Sequence, residues 1–185
     1  MRPMVESTAY EVLRSEGPLE IRRYPLMQLA TVRGVGDDDA FRLLFDYISG
    51  GNRRREKVPM TAPVVSGTQG TERIPMTVPV VSRPRSFSFV LPSSYPPHEV
   101  PEPVDSRVEI EILPGRELAV IRFRGRTGES AVAERYSSLL AAVKRSGLAP
   151  RGEPFLMRYN PPFVPGFLRR NEVAVEVLPL SEGRG

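Results

Sequence analysis

Twenty prolines are spread through the 185 residues of this chain, and they limit its architecture more than any other feature. Proline has no backbone N–H, and its ring clashes with the preceding helical turn. It therefore breaks helices and is confined in sheets to edges and strand ends. These prolines argue against a helical bundle, and short strands divided by turns are expected. A chain of this length fits one domain, or one domain built from two similar halves. It can bury roughly 70% of the surface its unfolded form exposes, so it needs no covalent staples. It has none, because there is no cysteine, and disulfides and thiolate metal sites are excluded with them.

The N-terminus MRPMVESTAY lacks the apolar stretch of a secretory signal. No window approaches the roughly 18 to 20 apolar residues of a membrane-spanning helix. A cytoplasmic protein with no membrane partner is expected. The formal charge is +4, and Lys57 and Lys144 are the only lysines, so the cations are almost all arginine. Arginine suits planar, bidentate anions such as carboxylates and phosphates, although genome composition accounts for the enrichment as well.

Along the chain, YEVLR (Tyr10 to Arg14) leads through Gly17-Pro18 into LEIRRYPLMQLATVRG, an extended stretch interrupted at Pro25. Asp37, Asp38 and Asp39 precede AFRLLFDYIS. Acidic residues there complement the helix dipole and can cap free N–H groups. Gly50-Gly51 stops the helix, which is expected over Asp38 to Ser49. VPMTAPVV, IPMTVPVV and SFSFVLP then read as strands, followed by a Pro-rich loop from Ser94 to Asp105. VEIEIL and ELAVIRFRG read as a hairpin turning at Pro114-Gly115. A second helix is expected from about Glu129 to Ser146, then FLMRY, the loop NPPFVPGFLRRN and a last strand EVAVEVL.

About eight strands, two helices and no βαβ alternation point to an α+β fold, a distorted antiparallel sheet or barrel carrying two helices. Two internal echoes suggest duplicated halves related by a pseudo-twofold axis. PMTAPVV (Pro59 to Val65) recurs as PMTVPVV (Pro75 to Val81). LATVRG before one helix resembles AVIRFRG before the other, with Arg33-Gly34 matching Arg124-Gly125. One domain over residues 8–180 follows, with halves at about 8–92 and 106–180 and tails at 1–7 and 181–185.

The two helices differ. In the second, Val132, Tyr136, Leu139 or Leu140, and Val143 form one apolar stripe at helical spacing. In the first, Phe41, Leu44, Phe45 and Ile48 form one stripe and Ala40, Leu43 and Tyr47 another, leaving only Arg42, Asp46 and Ser49 polar. A helix lying on a sheet needs one buried stripe, so the surplus face meets covering loops, a flat apolar ligand or a partner protein. Phe163 and Phe167, on a backbone stiffened by Pro161 to Pro165, either wall a ligand or pack on a sheet edge.

His98 is the single histidine, which excludes metal sites built from several His or Cys ligands and leaves no nucleophilic triad in view. RGVGDDDAF has the glycines of a phosphate loop, but its three aspartates would repel phosphate. Arg53-Arg54-Arg55 is too short a run, without a helix-turn-helix or aromatic RNA motif, to indicate nucleic acid. The same arginines could hold carboxylates.

These pieces together resemble the SOUL/heme-binding protein family. The carrying features are YEV with EIRRYP, a helix ending in YISGGN, MTAPV and MTVPV, FVLP before a Pro-rich loop, and YNPPFVPGFLRRNEV. The resemblance spans about Tyr10 to Val177 and implies a distorted antiparallel barrel with two helices and duplicated halves. It also implies reversible, non-covalent binding of heme or a related tetrapyrrole in an apolar cleft, as carrier, buffer or sensor, without catalysis. The alternative is an effector-binding or protein-interaction module using the same cleft.

The family's pocket lies by the first helix and the loop before RRNEV. It maps onto Phe41, Leu44, Phe45 and Ile48, with Phe163 and Val164, and Met60 joins them. Some members carry a basic residue near the position of Val164; here Arg158, Arg169 or Arg42 would substitute. The axial histidine proposed for one branch, before the first helix, is missing. His98, Tyr47 or Met60 could coordinate instead, His98 being the weak axial candidate, and binding without a strong axial ligand is expected. No nucleic-acid partner is expected, and the oligomeric state is left open.

Overall fold

The computed structural model describes residues 6–67, 85–160 and 164–179. In chain order these form β1 (Glu6–Ser7), β2 (Glu11–Glu16), β3 (Leu19–Tyr24), β4 (Met27–Arg33), α1 (Asp37–Ile48), β5 (Thr61–Gly67), β6 (Ser86–Val90) and β7 (Glu109–Leu113). β8 (Arg116–Arg124), α2 (Glu129–Arg145), β9 (Phe155–Arg158), a 3-10 turn (Gly166–Leu168) and β10 (Arg170–Val177) follow. The expected α+β class holds, with ten strands among the described residues against about eight expected. The second repeat, PMTVPVV, and Phe163 lie outside the described residues.

The chain divides into two compact units that are not its sequence halves. Residues Met1–Thr8 and Leu26–Pro114 make the first; Ala9–Pro25 and Gly115–Gly185 make the second. Two of the three crossings fall at proline, after Pro25 and after Pro114. The expected hairpin at Pro114-Gly115 does not form. β7 pairs antiparallel with β4 (Met27↔Leu113), while β8 pairs with β3 (Leu19↔Ile121) and β10 (Val173↔Ile121). A proline-glycine turn between two alternating strands looks local in sequence, yet each strand here completes the apolar face of a different core.

In the first unit the strand order is β5-β6-β4-β7, antiparallel, with β1 added parallel to β5. α1 lies on β4 and β6 and buries Ala40, Leu44, Tyr47 and Ile48 against Ala30, Val32, Phe87 and Phe89. Its N-cap is Gly36 and no side chain caps it, so the three aspartates occupy the first turn. They act on the helix dipole rather than as caps. Gly51 closes the helix where nothing larger fits: a Cβ there would stand 2.7 Å from the Asp46 carbonyl oxygen.

In the second unit the order is β2-β3-β8-β10-β9, all antiparallel, with α2 on β10 and β8. Val132, Leu139, Ala142 and Val143 of α2 meet Leu19, Ile121, Val173 and Val175. Each unit thus repeats one plan of strand, left-handed glycine and helix: β4, Gly34 (φ 74°), α1, and β8, Gly125 (φ 122°), α2. The echo of Arg33-Gly34 in Arg124-Gly125 marks this duplication.

Candidate functional site

α1 divides the residues expected to contact a ligand. Leu44 and Ile48 are fully buried beneath the helix and form core. Phe41 is half-buried, edge-on to Phe89 with ring centroids 5.4 Å apart, and stacks on Phe45 at 6.1 Å. Phe45 is 49% exposed, so the surplus apolar face read from the sequence narrows to this pair. Met60 packs half-buried into the same cluster. Arg42 is exposed, 3.8 Å from Asp39.

The remaining expected residues lie in the second unit. Arg169 donates from Nε to the Val164 carbonyl oxygen at 2.8 Å, and Arg158 sits half-buried on β9 opposite Asn171. On the adjoining 3-10 turn, Phe167 is 74% and Leu168 47% exposed.

The first unit also contains a hollow of about 650 Å³, lined by Arg53, Arg54, His98, Val100, Glu102, Ile110 and Ile112. That volume is within the range of small-molecule sites. Ile112 lies opposite Gln28 and Ile110 opposite Ala30 on the β4–β7 ladder, which puts them on the helix-bearing face, at the β7 edge. Phe41 meets β6 on the other flank of β4, so the aromatic pair and the hollow flank α1 from opposite sides.

Two loops wall the hollow, and each is held by one buried amide. Asn52, 1% exposed, donates to the carbonyls of Tyr47 (3.0 Å) and Glu56 (2.8 Å) and accepts from the Glu56 N–H at 3.1 Å. Gln28, 5% exposed, donates to the Tyr95 carbonyl at 2.9 Å and accepts the His98 N–H at 3.2 Å. Within these two loops stand Arg55 (φ 51°) and His98 (φ 66°), the only non-glycine residues with positive φ among those described. Left-handed backbone is costly for side chains other than glycine and persists only where surroundings impose it. The loops are also tied to one another. The Arg53 N–H donates to the Glu102 carbonyl at 2.8 Å, and the Tyr95 hydroxyl donates to Glu56 Oε1 at 3.0 Å.

Tyr47, one of the side chains weighed for coordination, is unavailable. It is 1% exposed, its hydroxyl donates to the Pro101 carbonyl at 2.6 Å, and burial pushes its pKa up to about 12. A smaller hollow of about 260 Å³ carries Asp46 and Asp105, whose charges oppose an anionic ligand. Among the described residues no group of three or more His, Cys, Asp or Glu could hold a bare metal ion.

Sequence reasoning missed Val100, Ile110, Ile112 and the two amides. The alternation of EIEIL and the isolation of His98 were the available signals. The join between them depends on the long-range β4–β7 pairing.

The second unit has a polar centre of a different kind. Arg22 forks onto Glu172 (2.8 and 3.0 Å), with both side chains essentially without solvent contact. Tyr159 and Arg170 also donate to Glu172, at 2.8 and 2.9 Å, and Arg22 reaches Tyr24 at 3.1 Å. Burial acts to raise the Glu172 pKa, but hydrogen bonds from Arg22 and Arg170 outweigh it and hold the carboxyl below its ordinary value. Burial also pushes the Tyr159 hydroxyl well up. Every oxygen of this carboxylate is taken, so the network is a structural centre.

Against known proteins, a family model described as SOUL heme-binding protein matches residues 5–176. The chain belongs to the SOUL heme-binding protein family. No curated protein sequence matches it. Among solved structures, the EcmrR C-terminal domain superposes with a TM-score of 0.61 at 11% identity, covering 92% of this chain and 99% of that one. EcmrR in a complex with DNA gives 0.60 at 11% identity, covering 88% of this chain and 57% of that one. A hydrolase from Listeria innocua gives 0.56 at 15% identity, covering 90% and 94%. At such identities these likenesses speak for the SOUL chain's fold alone. No helix among its described residues is long and apolar enough to cross a membrane.

Proposed function

We propose that this chain binds heme or a related tetrapyrrole reversibly and non-covalently, as a carrier, buffer or sensor and not as an enzyme. The family match over residues 5–176 carries the reading. The chemistry of the first unit supports it, because two of its surfaces suit a flat apolar anion. The Phe41–Phe45 stack beside α1 is the seat expected from the sequence, and the arginine-lined hollow is its competitor. Burying the apolar face of such a ring contributes roughly 25 cal/mol per Å², and guanidinium–carboxylate pairs add orientation.

Titration with hemin and with iron-free protoporphyrin, followed by absorbance and fluorescence, tests this. Saturation at one equivalent with submicromolar affinity is expected; uptake that never saturates rejects the reading. A second reading, an effector-binding or protein-interaction module, is favoured by the exposure of Phe45, Phe167 and Leu168. It requires apolar ligands lacking carboxylates and iron to bind as well as hemin does.

A further inference from the structure

We propose that the tetrapyrrole is seated in the hollow at the end of α1, with the His98 imidazole as axial ligand to its iron and Arg53 and Arg54 on its carboxylates. This rests on the tetrapyrrole reading above and goes beyond it by choosing between the two surfaces. An iron porphyrin asks a protein for a Lewis base, for cations to meet its carboxylates and for an apolar wall. The hollow supplies all three: the chain's one imidazole, two guanidiniums, and Val100, Ile110 and Ile112. The aromatic flank of α1 offers rings, the Met60 thioether and a single guanidinium, Arg42. A bare ion finds no donor cluster among the described residues, whereas porphyrin iron brings four nitrogens and needs one more.

The walls of the hollow are built rather than incidental. The single imidazole stands on a left-handed residue whose N–H is held by buried Gln28, and the arginine loop on a second such turn held by buried Asn52. A loop needed only to cover a sheet edge could place glycine or asparagine at either position without strain. Glu102, the one acid in the lining, is neutralised by Arg53 at 3.2 Å, while Arg54 has no carboxylate partner among the described residues. The bond proposed is a coordinate one. A neutral imidazole nitrogen gives its lone pair to iron, and nothing is oxidised or reduced.

The full chain would be titrated with hemin and with iron-free protoporphyrin, as wild type, His98→Ala, Arg53→Ala/Arg54→Ala and Phe45→Arg. His98 and both arginines are solvent-exposed, and circular dichroism of each variant verifies folding. His98→Ala is expected to weaken hemin binding at least tenfold, to shift the Soret band, and to leave protoporphyrin within about twofold. Added imidazole should restore the hemin spectrum. The double arginine variant should weaken both porphyrins about equally. An unchanged Soret band and affinity in His98→Ala, with binding lost in Phe45→Arg, would put the ligand on the aromatic flank. That result overturns this inference and leaves the tetrapyrrole reading standing. Wild-type protein that saturates with neither porphyrin overturns both.

Discussion

The two units share a plan of strand, glycine and helix, and they differ in what they bury. Arg22, Glu117 and Glu172, the buried charged residues among those described, all belong to the second unit and answer one another or Arg23, Arg122 and Arg170. Among its described residues the first unit buries only uncharged polar groups: Gln28, Thr31, Asn52, Thr61, Ser66, Ser86 and Ser88. Gln28 and Asn52 turn their hydrogen bonds onto loop backbone. A duplicated scaffold has thus been specialised twice. In one copy a buried ion network is closed on itself; in the other two buried amides hold the loops that wall a hollow. The difference teaches that a buried ion network is no pointer to a ligand when each of its acceptors is already filled.

The sharpest way to break this comparison is Glu172→Ala. Removing Glu172 leaves the buried Arg22 guanidinium with Glu20, at 2.7 Å and one-third exposed, as its one carboxylate, so the loss approaches the about 3–5 kcal/mol of a broken buried pair. Urea denaturation would measure it, and a loss below about 1 kcal/mol would mean the network contributes little to the second unit. Acid probes the same centre more gently. The Glu172 carboxyl is held below its ordinary pKa of 4.5, so its stabilisation is complete above that value and is lost as pH falls through the depressed folded value. Melting temperature should therefore fall below about pH 4.5 in the wild type, and less steeply in Glu172→Gln.

In the first unit Asn52→Ala removes the partner of the Glu56 N–H and carbonyl and one of two donors to the Tyr47 carbonyl, at about 2 kcal/mol by the cost of unsatisfied buried groups. Hemin affinity should drop in this variant although Asn52 does not line the hollow. Equal hemin affinity at reduced stability would separate the clamp from the ligand. The smallest effect belongs to His98→Gly. Relief of the left-handed backbone is offset by glycine's entropy, for a net gain of about 0.5 kcal/mol in denaturant titration. Destabilisation by this substitution would show that His98 is not strained.

Legibility from sequence followed the range of the interactions. α1 was readable to within a residue because its stripe, its acidic first turn and Gly50-Gly51 are local signals. The duplicated plan showed in Arg33-Gly34 and Arg124-Gly125. The hairpin at Pro114-Gly115 was misread because alternation says that a strand exists, not which strand it pairs with. Leu44 and Ile48 read as ligand contacts because a helix with two apolar stripes does not reveal which one the sheet takes. The hollow was least legible. It joins positions 28, 52–54, 98–102 and 110–112, and its clamps bond side-chain amides to carbonyls that leave no mark on composition.

The crossing after Pro25 has a consequence for how the chain is made. The β2–β3 hairpin leaves the ribosome early, while β8, the strand that β3 pairs with, and α2, which covers Leu19 and Ile21, are encoded roughly a hundred residues later. At about 5–20 residues per second, translation leaves that apolar ribbon waiting some 5–20 seconds while residues Leu26–Pro114 of the first unit emerge between. Slow codons within residues 26–114 would lengthen the exposure, and a nascent-chain holdase would find its binding site in Leu19 to Tyr24.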